Sequence, residues 1–69
     1  MTETTSIPVP EVRPADLVHW CSDTLAVERV SHMGGRLYVT GVVTRTGDRT
    51  RLIYDPDENV VVTREARRE

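Results

Sequence analysis

The chain carries 69 residues, 38% of them hydrophobic and 4% aromatic, with a formal net charge of −2. A chain this short forms one small domain with a marginal core; its single Cys excludes an intrachain disulfide and a zinc ribbon, and no apolar run approaches the roughly 18 residues of a membrane span. The charge balance disfavours general nucleic-acid binding, which rests on a positive surface, while the lone Cys and the absence of a signal-peptide pattern suggest a reducing cytoplasm.

Residues 1–13, MTETTSIPVPEVR, read as a flexible Pro-containing arm. Pro8 and Pro10 fix φ and remove amide donors, so neither a helix nor a central strand is expected there. Ile7, Val9 and Val12 would let such an arm lie along a groove or a sheet edge. The remainder, 14–69, reads as a single small domain with a polar C-terminal end. A helix is expected from Pro14, because Pro suits the first helical position and Asp16 suits the positive end of the dipole. Leu17, Trp20, Cys21 and Leu25 recur at helical spacing and would form its buried stripe. The helix either continues toward His32, capped by Gly34, or gives way to a strand over 24–32 that turns at Gly34-Gly35; the strand is favoured.

Arg36 to Arg45 alternates, with Leu37, Val39, Gly41 and Val43 on one face and Tyr38, Thr40, Val42 and Thr44 on the other. A turn at Gly47-Asp48 leads into a strand over 49–55. Pairing Thr46 with Arg49 would set Val43 against Leu52 and Gly41 against Tyr54, whose ring would cover the bare glycine. Asp55-Pro56-Asp57-Glu58-Asn59 signals a loop, and Val60 to Arg64 the last strand. A hairpin pairing Asp55 with Val60 would place Val62 beside Ile53, near Val42 and Val60. Both faces of the sheet would then be apolar. The closing REARRE is expected to fray or to continue as a solvated segment. The expected fold is therefore α+β: a short N-terminal helix packed on a three- or four-stranded antiparallel meander.

His19, Cys21 and His32 are the residues to weigh for metal or nucleophile chemistry. On a helix His19 and Cys21 would point roughly 200° apart and could not chelate one ion. Cys21 is better read as a small core residue and both histidines as surface or boundary residues. Asp55, Asp57 and Glu58 lack the glycine and the distal acid of a calcium loop, so a polar turn is the expectation. No catalytic, metal or cofactor site is expected, and the chain reads as a non-enzyme.

All nine basic residues are Arg, a pattern that GC-rich coding explains and that bidentate recognition of carboxylate or phosphate would also use. The run Arg51-Leu52-Ile53-Tyr54-Asp55-Pro56 followed by Val60-Val61-Val62-Thr63 resembles the last hairpin of small RelE-like or HicA-like ribonuclease toxins. The likeness covers that hairpin alone; such toxins are usually basic, longer and more helical before the sheet. It implies that Arg49, Arg51, Tyr54 and Arg64 are the residues to test for RNA contact, in a nucleic-acid-directed protein that is either a toxin-like nuclease or a small regulator. The leading expectation differs: a small accessory, regulatory or inhibitory protein that binds another protein or forms a homodimer through Val42, Ile53, Val60 and Val62. Arginines scattered and paired with acids would favour protein binding, and arginines gathered with Tyr54 on one exposed face would favour nucleic acid.

Overall fold

A computed structural model describes residues 2–65. Six strands form one antiparallel sheet: β1 (Thr2–Pro8), β2 (Leu17–Trp20), β3 (Asp23–Met33), β4 (Arg36–Val43), β5 (Arg49–Tyr54) and β6 (Asn59–Glu65). Their order across the sheet is β1-β6-β2-β3-β4-β5. The only helical turn among the described residues is a 3₁₀ turn at Val9–Glu11. The expected α+β class is thus overturned, and the expected N-terminal helix is replaced by β2 and the first part of β3.

The reason lies in a turn without its usual residues. β2 and β3 are joined by Cys21 and Ser22, both with positive φ (46° and 65°), the conformation of a two-residue hairpin turn that favours Asn and Gly. With no Gly there, Leu17 to Leu25 imitates a helical stripe. On the strands that stripe divides: Val18 and Leu25 pair on the inner face, while Leu17 lies opposite Ala26 on the outer one. Trp20 is half-buried against the rim of the core, and Cys21, expected inside, is exposed in the turn. The strand favoured over 24–32 is present as β3, and Gly34 and Gly35 take positive φ in its turn to β4.

Where the expected arm begins, β1 pairs along β6 from Thr2↔Glu65 to Pro8↔Asn59. β1 and β2 both run antiparallel to β6 and flank it, so the connection between them must cross one face of β6. It crosses the inner face, since Val9 and Val12 are buried with Ile7 in the core. No hairpin joins β5 to β6. β6 instead lies between β1 and β2, which places Val60 and Val62 inside and leaves Val61 43% exposed. The hairpin behind the toxin resemblance is therefore absent. The polar end expected to fray falls partly in β6, and its residues 66–69 lie outside the described residues.

The β4–β5 register also departs from expectation: Val42 pairs with Arg49, Val39 with Leu52 and Leu37 with Tyr54. The turn is longer than Gly47-Asp48 because Thr44 to Asp48 peel away, held by Val43 N–H on the Asp48 carbonyl (2.8 Å) and Gly47 N–H on the Val43 carbonyl (2.7 Å). The shift is even, so every side chain keeps the face that alternation assigned to it. Gly41 is not covered by Tyr54. It meets β3, where an added Cβ would stand 2.1 Å from the Ala26 carbonyl oxygen.

That close approach sits beside a bulge between Val27 and Arg29. The extra residue lets both Glu28 and Arg29 face outward while Val27 and Val30 face inward. Leu37 and Val39 are fully buried although no helix covers them. The sheet bends over its own inner face, and the Val9–Val12 crossover completes the cover.

Candidate interaction face of the sheet

The core occupies the inner face, so any recognition chemistry on the sheet lies on the outer face, at the edges or at the crossover. The expected interface residues divide accordingly. Val42 is half-buried and Ile53 is 51% exposed on the outer face, whereas Val60 and Val62 belong to the core. The set Val42, Ile53, Val60 and Val62 does not form one surface.

The residues expected to contact nucleic acid divide in the same way. Arg49 and Arg51 point outward from β5, while Tyr54 and Arg64 point inward. Burial raises the Tyr54 hydroxyl above its ordinary value, with smaller contributions from Glu58 and Cys21. Arg64 donates to Asp16 Oδ2 at 2.6 Å and to the Glu11 carbonyl at 3.5 Å. Asp16 is 4% exposed, and the same oxygen accepts the Arg13 backbone N–H at 2.9 Å. The pair clamps the crossover onto β6. Asp16, expected at a helix start, instead closes a turn and continues pairing to β3, where its carbonyl accepts the Val27 N–H at 2.9 Å.

The bulge organises the outer face. Arg49 Nε and Nη2 each donate to the Glu28 carboxylate at 3.1 Å. These hydrogen bonds hold Glu28 below the usual carboxylate range against desolvation, with smaller contributions from the charges of Arg49 and Arg29. Glu28, Arg29, Thr40 and Arg49 line a shallow concavity. Arg29 pairs across the ladder with Thr40, and Thr40 with Arg51. Arg51 lies over the Tyr38 ring, 5.1 Å from its centroid, within reach of a cation–π attraction. Three guanidinium groups and one carboxylate thus gather around Thr40. Alternation alone missed Arg29, because the bulge reverses its side. The spacing of Val27 and Val30, three apart instead of two, was the available signal.

Away from the bulge, two further arginines meet acids. Arg45 Nε donates to Asp23 Oδ1 at 2.7 Å and lowers the Asp23 carboxyl, and Arg36 approaches Asp55 at 3.9 Å. His19 sits on β2 between threonines, its Nε2 2.7 Å from Thr63 Oγ1 and its Nδ1 3.2 Å from Thr24 Oγ1. Thr63 Oγ1 also lies 2.8 Å from Thr4 Oγ1. The Thr24-His19-Thr63-Thr4 chain ties four strands together, with no carboxylate in it to orient the imidazole as a base. His32 pairs with Leu37 on β4 and is exposed. Among the described residues no three His, Cys, Asp or Glu side chains gather to hold a metal ion, and no helix is long and apolar enough to cross a membrane. No known protein family, curated protein or solved structure matches the chain.

Proposed function

We propose that this is a small non-enzymatic binding module of the cytoplasm that engages another protein through the outer face of its sheet around the β3 bulge. The observation carrying this reading is the placement of the arginines. Arg36, Arg45, Arg49 and Arg64 each contact an acid, and Tyr54 lies on the opposite face from Arg49 and Arg51. A surface that tracks a phosphate backbone instead needs uncompensated charge along a stripe. Besides Arg13 on the crossover, what remains among the described residues is Arg29 and Arg51 in a local cluster around Thr40, with exposed Ile53 on the same face, a mixture of Arg and apolar side chains suited to protein contacts. Self-association has less support, since Val60 and Val62 are committed to the core.

The test is affinity capture from nuclease-treated extract of the source cells. Wild-type bait is compared with an Arg29→Glu, Arg51→Glu double variant and with Asp57→Lys in the distant β5–β6 loop. A protein recovered in stoichiometric amount, lost with the double variant and kept with Asp57→Lys, supports the reading. Capture that survives the double variant, or recovery of nucleic acid from untreated extract as the main species, contradicts it.

A further inference from the structure

β5 ends the sheet. One row of its backbone N–H and C=O groups therefore faces away from β4, with no strand against it among the described residues. Such a row is a template for another extended chain, and the β5 side chains specify which kind. On the outer side stand Arg49, Arg51 and Ile53, all exposed; on the inner side Leu52 and Tyr54 are half-buried at the margin of the core. A second copy of β5 laid alongside would crowd four guanidinium groups onto one face of the junction, and like charges across a ladder repel. An acidic strand meets the opposite situation.

Resting on the protein-binding reading above, we infer that the β5 edge accepts an extended acidic segment of the partner protein as an added strand. Its carboxylates, on alternate residues, face Arg49 and Arg51. The residues between them are apolar and cover Leu52 and Tyr54. Period-2 alternation makes the two requirements compatible in one short segment. The structure already holds one carboxylate in this manner: Glu28 takes both donors of Arg49. That ion pair is exposed on both sides, 69% and 46%, so exchanging Glu28 for an incoming carboxylate costs little. Arg51, its guanidinium over the Tyr38 ring, stands next to Arg49 on the same face. Phosphates would be drawn to the same arginines, but the apolar inner side at Leu52 and Tyr54 offers a phosphate backbone nothing.

The experiment titrates a short labelled peptide alternating Glu with Val, its Gln-Val counterpart and a single-stranded oligonucleotide of similar charge. Fluorescence anisotropy is read at low and at physiological salt against wild type, an Arg49→Glu, Arg51→Glu double variant and Glu28→Gln. Circular dichroism melts verify that the variants fold. The Glu peptide should bind about tenfold or more tighter than the Gln peptide, and the double variant should lose about that factor, since exposed ion pairs contribute a few-fold each. Glu28→Gln should tighten binding a few-fold by removing the internal competitor. Of two Glu peptides N-methylated on alternate amides, the one blocked along the paired edge should lose binding. Equal binding of the Glu and Gln peptides, retention by the double variant, indifference to both methylation patterns, or tighter binding of the oligonucleotide would overturn the inference. Failure of the Glu peptide to bind wild type overturns it as well. The protein-binding reading still stands in that case if capture continues to depend on Arg29 and Arg51.

Discussion

Arg64–Asp16 and Arg49–Glu28 are the same chemical pair in opposite settings. The first lies on the inner side with side chains 20% and 6% exposed, the second on the outer side at 69% and 46%. Water screens the outer pair and solvates either partner if the other leaves, so it can be exchanged at little cost. The inner pair has no such fallback. Its carboxylate is buried beneath a crossover, and Arg64 Nε is buried without a hydrogen-bond partner among the described residues. The outer pair makes two hydrogen bonds and the inner pair one, so burial, and not geometry, decides which pair holds the fold.

The largest effect should come from breaking the inner pair one side at a time. Asp16→Ala should cost about 3 kcal/mol, because it leaves Arg64, only 20% exposed, without its acid. Against a total stability of roughly 5 to 15 kcal/mol, that approaches unfolding. Urea denaturation measures it. A double change, Asp16→Leu with Arg64→Met, should cost clearly less than Asp16→Ala alone, since no charge is left buried. If the double variant is the worse of the two, the pair contributes more than its burial explains.

A smaller gain is expected at the β2–β3 turn. Cys21 and Ser22 hold left-handed backbone without being glycine, at a cost of roughly 1 to 2 kcal/mol per residue. Cys21→Asn with Ser22→Gly should therefore raise stability by about 1 kcal/mol or more in the same denaturation experiment. No gain would mean that the turn is held by contacts of Cys21 or Ser22 that the substitutions remove.

The inner and outer sides should also differ in their response to pH. Burial raises the Tyr54 hydroxyl above 10.0. Its contribution is complete below that ordinary value and is lost as the pH rises through the raised one. Tyr54→Phe should flatten the alkaline limb of a melting-temperature profile. Two carboxylates held by arginines show the opposite sign. Arg49 and Arg45 hold Glu28 and Asp23 below 4.5 and 3.8, so their contribution is present above those values and disappears as the pH falls through the lowered ones. Both arginines are exposed, so water screens the two pairs and they should move the acid limb least of all. Glu28→Gln and Asp23→Asn melts should lie close to wild type at neutral pH and merge with it below the lowered values.

The same contrast of sides explains how much was legible in the sequence. Strict alternation made the cores of β4 and β5 readable, and the even register slip left Leu37, Val39 and Leu52 on their expected face. Gly34-Gly35 announced the β3–β4 turn because positive φ there needs glycine. Cys21-Ser22 announced nothing, and so β2 and the first residues of β3 read as a helix. Val60-Val61-Val62 is apolar throughout, so alternation could not choose its inward side. Only pairing with β1 and β2 placed Val60 and Val62 inside. Long-range pairing of this kind leaves little local trace, and it is also what separated Arg64 from Arg49 and Arg51, whereas Tyr54 faces away from them by alternation along β5 alone.

In the proposal above, recognition belongs to the β5 edge and the bulge, while the Arg64–Asp16 clamp only holds the fold. Amide and guanidinium NMR spectra of the labelled protein, recorded while the alternating Glu-Val peptide is added, test it most directly. Shifts confined to β5, Glu28, Arg29 and the Arg49 and Arg51 side chains, with the Arg64 Nε signal unmoved, are the predicted result. Shifts centred on β1, β6 or Arg64, with the β5 signals left in place, would contradict it.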